Sequence, residues 1–318
     1  VKVIIRADAS IEIGSGHVMR CLTIAKKFRE AGCQVTFWME PLPGNIINFV
    51  AQEGFENLEE ADYADLYIID HYALDKEWEQ AIRKYAQKIF VIDDLARSHE
   101  CDVVLDQNIV PNYATRYDGL VPEHCIKLLG PQYLIVREEF IKVRQQPRER
   151  GDIVERLLVF MGGSDPTNET RKVLQALDYF IFEHVDIVVG HGNPSKVQIE
   201  SICNKRGYHF HCQIDYMAML MQQADFAIGT GGATMWERCY VGLPSSATIV
   251  AENQRETTEY AAKHSVVNNL GWHEQVTEDT YKSLLSTLTV NEMGAKGLAL
   301  TANKQPNAWM YKIMELMK

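Results

Sequence analysis

The 318 residues contain no Cys-x-x-Cys pair, no apolar run of membrane-spanning length, no excess of positive charge, no internal repeat and no low-complexity tract. Seven cysteines are scattered as Cys21, Cys33, Cys101, Cys125, Cys203, Cys212 and Cys239. With no recognisable secretory leader, that usage points to a reduced, cytoplasmic setting without a membrane partner. The formal net charge of −11 argues against a protein that grips a nucleic-acid backbone. It leaves room for a nucleotide, which needs only a local anion site. His-Glu-x-x-His, Gly-x-Ser-x-Gly and Cys–His signatures are also missing. His209 and His211 stand two apart on a strand-like run, and no third ligand follows at a recognisable spacing, so no metal and no cofactor is expected.

What is present is the composition of an ordinary globular protein, 46% hydrophobic and 24% charged, on a chain long enough for two cores. Apolar strand-like runs alternate with helical patterns. Val1–Arg6, Val35–Met39, Leu66–Ile69, Ile89–Ile92 and Val103–Leu105 read as buried strands, and polar residues gather at their carboxyl ends. A charge-rich break from Arg144 to Arg156 reads as a linker, after which the alternation restarts at Leu157–Phe160. The expected architecture is α/β, with two doubly wound Rossmann-like domains, 1–150 and 151–318, facing across a cleft. A last helix within Asn303–Lys318, carrying Trp309, Ile313 and Leu316 on one face, is expected to pack back on the first domain.

Three glycine-bearing turns follow strands. Gly14-Ser15-Gly16-His17 links the first strand to a helix with Val18, Leu22, Ala25 and Phe28 at helical spacing. Free N–H groups and the positive dipole end at a helix start favour anions and a neutral imidazole. His17 is thus either a general base or a structural turn residue. Gly229-Thr230-Gly231-Gly232-Ala233-Thr234 repeats the pattern before a second helix, where Glu237 either takes ribose hydroxyls or faces solvent. This turn is neither Gly-x-Gly-x-x-Gly nor a Walker A loop. Gly162-Gly163-Ser164-Asp165 is a third such turn, with Asp165 as ligand or helix cap. Asn253 and Gln254, after strand Ala247–Val250, carry the same two alternatives.

Assembled in order, several motifs resemble the UDP-2,4-diacetamido-2,4,6-trideoxy-β-L-altropyranose hydrolases of pseudaminic acid biosynthesis. They are Arg6–Ser10, Gly14–Cys21, Asp70-His71-Tyr72, Asp93–Ala96, Asp106-Gln107-Asn108, Gly162–Pro166, Gly231–Cys239 and Ala251–Gln254. The resemblance implies a glycosyltransferase-B-like fold and hydrolysis of a UDP-sugar to UDP and free sugar, by water attack at the anomeric carbon with inversion. On it, His17 would be the base, and Asp8, Tyr72 and Asn253 would position sugar or water. Gly14, Ser15, Gly16, Gly163, Ser164, Gly231, Gly232, Ala233 and Thr234 would line the substrate, with Glu237 on the ribose. Ala233 stands where serine is as often expected.

Overall fold

The computed structural model describes residues 1–318 apart from positions 289, 291, 303 and 304. Contacts divide the chain into one unit of Val1–Val136 with Asn303–Lys318, and another of Arg137–Ala302. In the first unit, β1 (Lys2–Ala7), β2 (Gln34–Trp38), β3 (Asn57–Leu58), β4 (Ala64–Asp70), β5 (Ala86–Ile92), β6 (Val103–Asp106) and β7 (Ile126–Leu129) form a sheet. All pairs are parallel, in the order β3-β2-β1-β4-β5-β6-β7. The second unit repeats the plan with β8 (Arg156–Phe160), β9 (His184–Val189), β10 (His209–Cys212), β11 (Phe226–Thr230), β12 (Ser245–Ile249) and β13 (Asn268–Trp272). Its order is β10-β9-β8-β11-β12-β13, again parallel.

Central strands covered on both faces must be apolar throughout rather than alternating, which is why β1 reads as a continuous β-branched run. Val3 and Ile5 enter a core with Phe28, Phe37 and Phe90, while Ile4 enters the opposite layer with Tyr67, Ile69 and Tyr117. In the second unit Leu157, Val159, Ile187, Phe226, Ile228 and Tyr281 share one core. In each sheet the winding direction reverses at one place, between β1 and β4 and between β8 and β11. Loops leaving two such strands run to opposite faces and open a crevice at their carboxyl ends.

The helix Ala308–Leu316 belongs to the first unit. Trp309 is fully buried, its ring 6.2 Å from Phe28 and 6.5 Å from Phe90. Asn307 ties it down, its Oδ1 accepting from Val136 N (2.9 Å) and Trp309 Nε1 (3.1 Å) while its Nδ2 donates to Val136 O (3.1 Å). Asn303, where the expected segment began, lies outside the described residues.

The charge-rich stretch is not the junction. The units divide at Val136/Arg137, and the arginines that made 144–156 look solvated are spent on the second unit. Arg144 donates to Tyr240 O (2.5 Å), Thr301 Oγ1 (2.9 Å) and Leu298 O (2.9 Å). Arg150 donates to the carbonyls of Ala224, Gly242 and Met221, and Arg148 to Gln223 O and Asp225. A guanidinium carries five donors and satisfies carbonyls as readily as water, so a run of arginine need not mark a free linker. Among the described residues no helix is long and apolar enough to cross a membrane.

Candidate active site

In the first unit the crevice is built from side chains. The helix Gly16–Glu30 starts directly after the turn, with Ser15 at its N-cap and Gly14 N bonded to Ser10 O (2.8 Å). His17, Arg20 and Cys21 then fall on one helical face, three and four residues apart, and all three meet Asp70 at the end of β4. His17 Nδ1 lies 2.6 Å from Asp70 Oδ1. Arg20 grips the same carboxylate with Nε (2.8 Å) and Nη2 (2.7 Å), and Cys21 Sγ lies 3.7 Å away. Burial alone would raise the Asp70 carboxyl, but Arg20 and then His17 outweigh it and hold it well below the usual range. A carboxylate at Nδ1 holds a proton on that nitrogen, so in the neutral ring the lone pair is on Nε2. No hydrogen bond from Nε2 to another described residue forms. A carboxylate behind an imidazole is the arrangement that orients a base and stabilises the imidazolium it becomes.

Tyr72 stands edge-on to His17, ring centroids 4.5 Å apart, and its hydroxyl donates to Asp94 Oδ2 (2.9 Å). Burial, only partly offset by Arg20 and Tyr72, raises the Asp94 carboxyl. Asp8 does not fit the role of touching sugar or water. It is 3% exposed, and both oxygens are occupied by Arg6 (2.5 and 2.9 Å), Glu40 N (2.8 Å) and His71 Nε2 (3.0 Å). Ala73 N donates to His71 Nδ1, so the ring proton sits on Nε2 and points at Asp8. Asp8 braces the ends of β1, β2 and β4 instead.

In the second unit the crevice is built mainly from backbone. β11 ends at Thr230, and Gly231-Gly232 turn into the helix Ala233–Tyr240, with Gly232 at the N-cap and no side-chain cap. A Cβ at Gly231 would collide with Thr258 Oγ1, so only glycine allows this approach. Ala233 is exposed and Gly232 and Thr234 half-buried, which leaves their N–H groups near the surface, while Met235 N donates to Gly232 O (2.9 Å). Glu237, one turn on, is locked in a bidentate pair with Arg137, Nε and Nη2 lying 3.0 and 3.1 Å from its oxygens. It is therefore neither solvent-facing nor free, and any ribose contact shares it with Arg137. After β8, Gly162 has φ +90° and Gly163 O accepts from Gly190 N (2.9 Å), with Ser164 half-buried beside them. Asp165 takes the capping alternative, its carboxylate accepting from Glu169 N (2.8 Å) and Thr170 N (2.9 Å). Gln254 Oε1 accepts from Val250 N (3.1 Å), and Asn253 sits half-buried in the turn Glu252–Gln254. Asp70, Arg20, Asp94 and Arg137 received no role from the sequence. Arg20 had a signal, since it lies three residues after His17 on the same helical face.

Two doubly wound units of this kind define the glycosyltransferase-B-like fold. MurG of Acinetobacter baumannii superposes with a TM-score of 0.65 at 14% identity, covering 99% of both chains. The spinosyn rhamnosyltransferase SpnG gives 0.65 at 10% identity, over 99% of this chain and 100% of that one. In sequence, the chain is 28% identical over 276 residues to the UDP-2,4-diacetamido-2,4,6-trideoxy-β-L-altropyranose hydrolase of Campylobacter jejuni, 83% of this chain and 97% of that protein. It is 26% identical over 280 residues to an uncharacterized protein of Methanocaldococcus jannaschii, 80% of this chain but only 57% of the relative's length. No family model matches the chain.

Proposed function

We propose that the protein hydrolyses a UDP-sugar to UDP and the free sugar, with UDP-2,4-diacetamido-2,4,6-trideoxy-β-L-altropyranose as substrate, a step of pseudaminic acid biosynthesis. The observation that carries the reading is the His17–Asp70 pair, with Nε2 left to accept a proton. The named Campylobacter relative supplies the substrate. In this reading His17 Nε2 takes a proton from water as its oxygen bonds to the anomeric carbon. The bond from that carbon to the diphosphate oxygen breaks, and its electron pair leaves with UDP. Asp70 and Arg20 hold the imidazole, and Tyr72 and Asn253 position sugar or water. The N–H groups at Gly232–Thr234 take the diphosphate charge, Gly163 and Ser164 line the substrate, and Glu237 with Arg137 meets the ribose.

The test is incubation with the UDP-sugar in ¹⁸O-labelled water and no acceptor. Stoichiometric UDP without label, and an inverted sugar labelled at the anomeric oxygen, are expected. Label in phosphate, or UMP as product, overturns the mechanism and the role of His17. The solved neighbours favour a second reading, glycosyl transfer from the same donor to an acceptor. UDP release only after an acceptor is added selects it.

A further inference from the structure

We infer that Arg238 is the buried counter-charge of a phosphate site at the Gly231-Gly232 turn, a positioning residue that acts on the anion through the turn it underlies. The inference rests on the anion role proposed for that turn, and its support is independent of the turn's glycines. Arg238 is 1% exposed. Its side chain runs back from the helix Ala233–Tyr240 to the end of β11, where Nη2 donates to Thr230 O (2.8 Å) and Nη1 lies 3.4 Å from Thr234 Oγ1. The guanidinium thus touches residues on both sides of Gly231-Gly232. It lies so close beneath the strand that a Cβ at Gly229 would collide with Nη1.

What is missing around this cation points to a ligand. Its Nε has no hydrogen-bond partner, and among the described residues no carboxylate forms an ion pair with it. Glu237 is the carboxylate whose field reaches it, and Glu237 is already committed to Arg137. Thr258 Oγ1, the hydroxyl packed against Gly231, is likewise buried without a partner. Arg150 shows what a satisfied arginine looks like in the same unit, with Nε, Nη1 and Nη2 each donating to a carbonyl. Arg238 has a single carbonyl. Burial draws it down to about 10, which still leaves it charged at neutral pH. A buried charge without a partner is costly, and an anion on the far side of the turn offsets that cost. The guanidinium also adds to the dipole of the helix start, so the two positive sources converge on one place. The ligand class is a phosphate or diphosphate ester.

Calorimetric titration with UDP and with inorganic pyrophosphate at low salt tests this, on wild type, Arg238→Met and Arg238→Lys. Arg238→Met is expected to weaken both ligands roughly 10- to 100-fold, the scale of a lost charge-assisted interaction. Its ligand-free melting temperature should stay level or rise, because an uncompensated buried charge has gone. Arg238→Lys should retain most of the affinity. A merely structural arginine gives the opposite pattern, a lower ligand-free melting temperature with affinity unchanged, and that result overturns the inference. Should Arg238→Met not fold, Arg238→Gln removes the charge while keeping a donor for Thr230 O, with the same expected outcomes. Wild type that binds pyrophosphate as tightly as UDP refutes the UDP reading but leaves the inference standing. Wild type that binds neither refutes both.

Discussion

The two crevices occupy the same topological position in two sheets of the same winding, yet they are furnished differently. At the ends of β1 and β4 the first unit gathers Asp8, Asp70, His17, His71, Arg6 and Arg20, each held by another charged side chain. At the ends of β8 and β11 the second unit offers glycines, free helix N–H groups and a lone arginine underneath. Side chains held at fixed geometry suit proton transfer, whereas peptide dipoles suit a constant charge that must be held and released. In the proposed reading, one winding plan provides a reactive end and an anchoring end.

Substitutions should separate the two. Replacing His17 with Asn or Leu is expected to lower kcat by about 10²–10⁴-fold with UDP affinity nearly unchanged, measured by UDP release and calorimetry. Near-normal turnover would dissolve the contrast. Asp70→Asn should cost about 10²–10³-fold in kcat, because the amide frees the imidazole to take the wrong tautomer. It also strands Arg20, so thermal unfolding should fall alongside. In the second unit the loss should appear in KM. Glu237→Ala is expected to raise KM about tenfold and leave kcat within a factor of about three, since the contact is equal in ground and transition states. A pure kcat effect would place Glu237 with the reactive end.

A smaller effect tests stability rather than rate. His99 is fully buried between Glu79 Oε1 (2.7 Å) and Asp93 Oδ2 (3.4 Å). Burial opposes its charge, but Asp93 and Glu79 prevail and raise it to about 9. A cation held above its unfolded value of 6.5 stabilises fully below that pH and loses the contribution as pH rises to about 9. Chemical denaturation at pH 6 and pH 9 should show wild type losing on the order of 3 kcal/mol more than His99→Gln. Equal losses would rule out His99 as the group responsible. The smallest effect expected is none at all. Because the anion site is assigned to N–H groups and an arginine, exhaustive EDTA treatment should leave activity intact, and restoration by Mg²⁺ after a loss would refute that assignment.

Much of this was legible in the sequence because the turns are local. Strand, glycines and helix sit within about ten residues at Gly14–His17 and at Gly229–Ala233, so the anion-friendly helix starts could be read directly. The partners could not. Asp70 lies 53 residues from His17, and parallel pairing of β1 with β4 brings the helix and the strand end together. Arg137 meets Glu237 across 100 residues. Asp8 sits close to Gly14–His17 in the chain, but its saturation by Arg6, Glu40 and His71 depends on three separate chain segments. Short strands such as β3 and β7, and β13 with its interior glycine, carry too little pattern to be found.

The return of the chain to its starting unit has a consequence for the order of assembly during synthesis. When translation has passed Ala302, the whole second unit has been made, and it is contiguous in the chain. The first unit, begun hundreds of residues earlier, still lacks Trp309, Met310 and Ile313 for its core and Asn307 for the backbone of Val136. The portion carrying His17 therefore emerges before the second unit and is completed after it. A chain stopped at Ala302 should show a protease-resistant second unit beside a first unit that is cut readily, and equal resistance of the two would contradict this order.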